Sequence, residues 1–239
     1  MSKHPEWQRH CHNLEFETTI HGLDNFLDFQ AIRETMFVGN AEYTWFELAE
    51  LQEYGVDMAE LEDCDKHTKN HQHPQLKNST GNTIHHRYHL HYFEKMTGVK
   101  ITDMDSIFEL GGGYGNMARI ISKMGFNKEY IISDLPEFVD LQKYYLGYHN
   151  VPANWSPNYW GECDLFLATW SLSEIPLEGR GVYEDLDANY HLIAFGPDYA
   201  GIDNMAYFKE WVRQHPRQEW IMEETPYMKN QFYLTGITK

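Results

Sequence analysis

Apolar positions along the chain follow two rhythms, and the change comes between Thr102 and Ser106. Before it they recur at helical spacing. Phe26, Phe29, Ile32 and Met36 to Val38 make one stripe, Trp45 to Tyr54 a second, and Tyr88 to Met96 a third that stops at Gly98. The stretch from Cys64 to Asn82 is rich in His, Asn and Lys and carries Pro74 and Gly81, the composition of a loop. This half reads as a helical extension over residues 1–100. After Asp105 short apolar runs alternate with helical patterns. Strands are expected at Ser106–Leu110, Tyr130–Ser133, Asp164–Thr169, His191–Phe195, Trp220–Glu224 and Phe232–Ile237. Helices are expected at Asn116–Met124, Pro136–Tyr148 and Asn204–Gln214, with a further one near Gly181–Asn189. A third strand falls at Asn150 to Trp155, which carries little β signal, and makes Asp164–Thr169 the fourth. Strands separated by helices predict a mostly parallel sheet covered on both faces. The last two strands are joined only by Thr225 to Gln231, too short for a helix, so they should close the sheet as an antiparallel hairpin. The predicted fold is therefore α/β over residues 101–239.

The run Ile107 to Ile121 reads as a strand, a glycine turn and an apolar helix. Glycine lets a ligand approach the main chain, and the helix start offers unpaired N–H groups. About 20 residues further on, Ile131-Ile-Ser-Asp134 reads as a second strand ending in a carboxylate placed for a ribose diol. Together they predict a nucleoside site. Gly113-Tyr-Gly-Asn-Met-Ala118 satisfies the dinucleotide pattern, so a nicotinamide-dependent oxidoreductase is one reading, and an ordinary strand-to-helix turn another. The acid at the end of the first strand distinguishes a third. Glu109-x-Gly111-x-Gly113-x-Gly115 resembles motif I of the class I S-adenosylmethionine (SAM) methyltransferases, which have a Rossmann-like core.

Beyond that motif, Tyr130-Ile-Ile-Ser-Asp-Leu-Pro-Glu137, Leu141 to Leu146 and Asp164 to Glu174 are similar to the sugar O-methyltransferase family, over roughly residues 85 to 235. The resemblance implies SAM as cofactor, with Glu109, Gly111, Gly113, Gly115, Asp134 and Leu135 forming its site. Thr169 and Ser171 stand at the tip of the fourth strand, Trp155 is the aromatic candidate to stack on adenine, and Arg87, just before the core, is placed to reach the methionine carboxylate. Two departures stand out: no acid follows the third strand within Asn150–Trp160, and Trp170-Ser-Leu-Ser replaces the Asn or Asp usual after the fourth. A SAM-binding protein without turnover is a further alternative.

Composition narrows the partners. Nineteen Lys and Arg against 36 Asp and Glu give a formal charge of −17, which repels phosphate backbones and anionic lipid. The expectation is a small-molecule acceptor, a saccharide by the family resemblance, with no nucleic acid and no membrane. The three cysteines, Cys11, Cys64 and Cys163, show neither a disulfide framework nor a zinc spacing. With no apolar run near membrane length, a cytoplasmic location is expected.

Methyl transfer to a hydroxyl needs an aligned nucleophile and a group to take its proton. Glu174, after the fourth strand, is the first candidate; Asp198 is the second, in a Gly-Pro-Asp turn. Tyr88 and Tyr92 could border the methyl pocket. Fourteen histidines fall partly into two groups, His67, His71 and His73, and His85, His86, His89 and His91. His86 and His89 are candidate bases; none of the histidines is assigned to a metal. The helical half should close over the acceptor as a lid.

Overall fold

The computed structural model describes residues 4–39, 41–63, 65–157 and 161–239. Cys64, at the head of the expected loop, and the end of the Asn150–Trp160 stretch lie outside the described residues. The first helix, α1 (Pro5–His21), has Pro at its start, where the missing N–H costs nothing. It was not expected from the sequence, because its buried residues, His10, Cys11 and Leu14, make no apolar stripe. The expected helix over Phe26 to Val38 is a single 3₁₀ turn, Phe26–Asp28, followed by α2 (Gln30–Thr35). α3 covers Tyr43–Glu53. The His-rich stretch is not all loop. It contains a short hairpin, β1 (Gln72–His73) and β2 (Leu76–Thr80), and its end starts α4 (Gly81–Thr97). Thr80 caps that helix by accepting from the Thr83 N–H, and Gly98 ends it in a left-handed conformation.

The second half alternates as expected: β3 (Ser106–Leu110), α5 (Asn116–Lys123), β4 (Glu129–Ser133), α6 (Pro136–Tyr148), β5 (Asn154–Trp155) and β6 (Glu162–Thr169). Two short helices follow, α7 (Ser171–Glu174) and α8 (Leu177–Glu184), then β7 (Asp187–Phe195). A small hairpin, β8 (Asp198–Tyr199) with β9 (Ile202–Asp203), leads into α9 (Asn204–Gln214), β10 (Gln218–Glu224) and β11 (Phe232–Thr238). The weak third strand is present but only two residues long. The helix expected near Gly181–Asn189 starts four residues earlier and ends five earlier, since Asp187 already belongs to β7.

Among the described residues seven strands make one sheet in the order β10-β11-β7-β6-β3-β4-β5. β3 to β7 pair in parallel, whereas β11 runs antiparallel to both β7 and β10. Insertion of the last strand between its two predecessors is the Rossmann-like class I methyltransferase arrangement. It departs from the 3-2-1-4-5-6 order of dinucleotide-binding sheets.

The two halves share a core. One apolar cluster joins Cys11, Leu14, Phe26, Leu27 and Ile32 to Ile107, Ile120, Tyr145 and Leu146. Behind the glycine turn a buried ion pair crosses the same boundary, Arg119 of α5 with Asp63 at 3.0 Å. Asp63 also accepts from the hydroxyls of Thr80 and Thr83. Burial raises its pKa above the ordinary carboxylate value, and Arg119 opposes that rise.

Candidate functional site

A cavity of about 420 Å³ opens at the carboxyl ends of β3, β4 and β6, where ligands bind in open α/β sheets. Its floor is the glycine turn. Gly111 has φ +74°, and a Cβ there would lie 2.3 Å from the Ser171 Cβ, so no larger residue fits. Gly113 has φ +58°, and Met36 from the first half packs 3.3 Å from where its Cβ would stand. The Ser171 hydroxyl donates to the Leu110 carbonyl, tying the fourth strand's tip to the first.

Beside the glycine turn two of the acids in the lining, Glu109 and Asp134, have no ion-pair partner among the described residues. Glu109 accepts from the Tyr130 hydroxyl at 2.8 Å, and burial, reinforced by the Asp134 charge, pushes its carboxyl up to about 8. Asp134 accepts from the Leu135 N–H and the Gln142 side-chain amide, each at 2.7 Å, and the N–H groups of Gly112 and Gly113 also turn towards it. Burial outweighs these donors and raises Asp134 to about 7. Leu135, Thr169 and Ser171 join them in the lining.

Of the expected cofactor residues, three lie elsewhere. Gly115 sits behind the turn as the residue that starts α5, with Leu146 against it. Trp155 is outside the cavity; its indole N–H donates to the Gln142 side chain and Lys143 lies over its ring. Arg87 is buried between Glu60 at 2.6 Å and Glu94 at 3.7 Å, so its guanidinium is committed to the protein. Among the candidate bases, His89 is fully buried, lies 2.5 Å from the Tyr233 hydroxyl, and is held well below its usual range by burial. It does not line the cavity. His86 does, but its Nδ1 faces the Asn116 amide at 3.1 Å and burial lowers it to about 3, which makes it a weak base. Asp198, in β8, and Tyr88 and Tyr92, bonded to Glu50 and Glu223, are not in the lining.

Glu174 is in the lining, accepts from the Trp7 indole at 3.0 Å and is pushed up to about 7 by burial. Trp7 stands edge-on to Phe138, so this end is closed by α1 and α6. The other end is formed by Tyr43, His85, Trp170 and Met228. There the His85 Nδ1 lies 2.8 Å from the Glu47 carboxylate, both residues being 2% exposed. Tyr43 and Trp170 flank the His85 ring. Trp170 has φ +62°, rare for a bulky residue, and is held by its N–H to the Ala194 carbonyl and its indole to Gln231. The Glu47–His85 pair was not read from the sequence, since its members are 38 residues apart. The one available signal was the His85-His86 doublet. The other histidine group is dispersed: His71 pairs with Asp28, His73 meets the Thr44 hydroxyl, and His67 lies beside Asp65.

No protein-family model matches the sequence, and no curated protein matches it. Solved structures do. An rRNA methylase from Escherichia coli aligns over 97% of this chain and 92% of its own, at 12% identity and a TM-score of 0.45. A putative RNA methyltransferase from Pyrococcus horikoshii covers 66% and 85%, at 13% and 0.47. Magnesium protoporphyrin IX methyltransferase from Synechocystis, with bound S-adenosylhomocysteine (SAH), covers 65% and 83%, at 11% and 0.47. These likenesses are of fold, and the sugar O-methyltransferase family is not among the matches named. The exclusion of nucleic acid and the choice of a saccharide do not stand. Methylases of ribosomal RNA share the architecture, and a charge summed over the whole chain does not describe one cavity. Among the described residues no helix is long and apolar enough to cross a membrane.

Proposed function

We propose that the chain transfers the methyl group of SAM to an oxygen nucleophile, with the cofactor on the glycine turn and the acceptor between Trp170 and His85. The observation that carries this reading is one cavity with a glycine floor and two raised carboxyls on one side and a Glu-backed histidine on the other. The site suits the cofactor: Gly111 and Gly113 leave main chain open to close approach, and the acids offer negative charge to a cationic ligand. SAM bound there supplies a methyl group activated by its sulfonium.

Asp134 and the glycine N–H groups orient the nucleoside, and Glu109 faces the ligand's positive charge. Glu47 holds His85 by Nδ1, which fixes the tautomer and leaves Nε2 to take the acceptor proton as oxygen attacks. Tyr43 and Trp170 shield that step from water. A second reading makes Glu174 the base, favoured by its place in the lining and its carboxyl near 7. The N-terminal segment, whose Trp7 donates to Glu174, would then close over the acceptor.

Labelled SAM with acceptor pools, RNA and small hydroxylated molecules in separate arms, tests the activity. His85→Gln should lower turnover about 10²–10⁴-fold with SAH affinity kept. A full rate in His85→Gln and a fall of that size in Glu174→Gln would move the base to Glu174. Absence of both SAH binding and methyl transfer would overturn the function.

A further inference from the structure

Away from the cavity, Asp65, His67 and His149 bring one potential ligand atom each to within 4.8 Å of one another. We infer that these three side chains form a site for a borderline divalent transition metal of the Zn²⁺ class. The site lies between the turn that starts at Asp65 and the C-terminal end of α6, where His149 is the capping residue.

The two imidazoles turn their nitrogens onto the one carboxylate, the arrangement of a ligand set. His149 Nε2 lies 2.7 Å from Asp65 Oδ2, and His67 Nδ1 lies 3.3 Å from Asp65 Oδ1. Despite these distances, Asp65 Oδ2, His67 Nδ1 and His149 Nε2 are all buried without a hydrogen-bond partner. Facing only one another, the three atoms would all be satisfied at once by a shared cation. The His67 side chain is fully inaccessible to bulk solvent. In a tetrahedral zinc shell, ligand atoms about 2.0–2.1 Å from the metal stand about 3.3 Å apart, a spacing bracketed here by the 2.7 Å His149–Asp65 contact and the 4.8 Å within which all three ligand atoms lie.

The surroundings orient the ligands as metal sites require. His67 Nε2 is 3.2 Å from the Tyr144 hydroxyl, which leaves Nδ1 as the coordinating nitrogen. Asp65 Oδ1 accepts the N–H groups of His67 at 2.7 Å and Thr68 at 3.1 Å, so Oδ2 is the oxygen presented. Edge-on contacts from Tyr144, Tyr145 and Tyr148 fix the His67 ring, and both of the last two also pack on His149. Two imidazoles and one carboxylate suit Zn²⁺ and its neighbours, whereas Mg²⁺ and Ca²⁺ demand oxygen shells. Three protein ligands leave a fourth position for water. The metal would clip the Asp65 turn to α6, the helix whose first turn carries Leu135 and Phe138 into the cavity.

The full chain, stripped with chelator, is titrated with Zn²⁺ against a chromophoric competitor, and with Co²⁺ for the visible bands of a tetrahedral shell. One equivalent should bind, with a rise in Tm. His149→Ala and the nearly isosteric Asp65→Asn should each weaken binding at least about 100-fold and abolish the Tm rise. His71→Ala, in the same histidine-rich stretch, should bind as the parent does. No binding by the parent chain, binding unchanged in Asp65→Asn, or an equal loss in His71→Ala would overturn the site. SAH affinity measured alongside separates this outcome from failure of the methyltransferase reading, which does not depend on the metal.

Discussion

Glu109→Gln removes one of the two acids beside the glycine turn, Glu109 and Asp134, and its effect can be worked from their raised values. At about 8, Glu109 is roughly 1% ionised at pH 6 and about half ionised at pH 8. A cationic ligand that needs the carboxylate must displace that proton, so SAM affinity should rise up to about 50-fold across this interval, about 2.3 kcal/mol. Asp134, near 7, goes from about 10% to about 90% ionised and contributes about ninefold by itself. The two charges interact, so the observed profile belongs to the pair. Calorimetry at pH 6, 7 and 8, in buffers of different ionisation enthalpy, reads both affinity and the protons released. Glu109→Gln should retain only the shallower rise, and Asp134→Asn only the steeper one with weaker binding throughout. The free protein should show the opposite dependence. An acid raised from 4.5 to about 8 binds its proton more tightly when folded, so its stability contribution is whole below about 4.5 and is lost as pH rises to about 8. The loss is at most about 5 kcal/mol, and Glu109→Gln should be the more stable protein at pH 8. SAM affinity independent of pH from 6 to 8, with no proton release, would refute the reasoning.

Gly111→Ala places a methyl 2.3 Å from the Ser171 Cβ at a φ of +74°, so SAH binding should be lost and Tm lowered; native SAH affinity would show that the turn does not hold the cofactor. Trp155→Phe should change SAH affinity no more than about threefold by calorimetry, because the ring lies outside the cavity and acts only through Gln142. Asp63→Ala leaves Arg119 charged and buried and should cost about 3–5 kcal/mol in urea denaturation.

What the sequence disclosed was what depends on neighbours along the chain. α6 and α9 appear with the expected bounds because Pro136 and Asp203 mark their starts and an apolar stripe runs to their ends. The glycine turn and Asp134 meet because strand, turn and helix are contiguous. Side-chain direction across elements was not legible. Arg87, His89 and Trp155 were assigned by proximity in sequence, and each turns away from the cavity to a partner in another part of the chain. His85 differs from His86 by one position on α4, enough to give it Glu47 as a neighbour. α1 was missed because helices buried through His and Cys leave no periodic signal.

The apolar cluster that runs from Cys11 to Leu146 has a consequence for inheritance and for engineering. In many enzymes the part that chooses the acceptor can be exchanged like a cassette, leaving the cofactor half intact. Here the residues of the first half are bricks in the wall of the second. A graft cut near residue 100 would expose Ile107, Ile120 and Tyr145 to water on one side and leave Phe26 and Ile32 without a seat on the other. On the proposed reading, new acceptor preferences should therefore arise by single replacements around Tyr43, His85 and Met228, not by wholesale exchange of the helices.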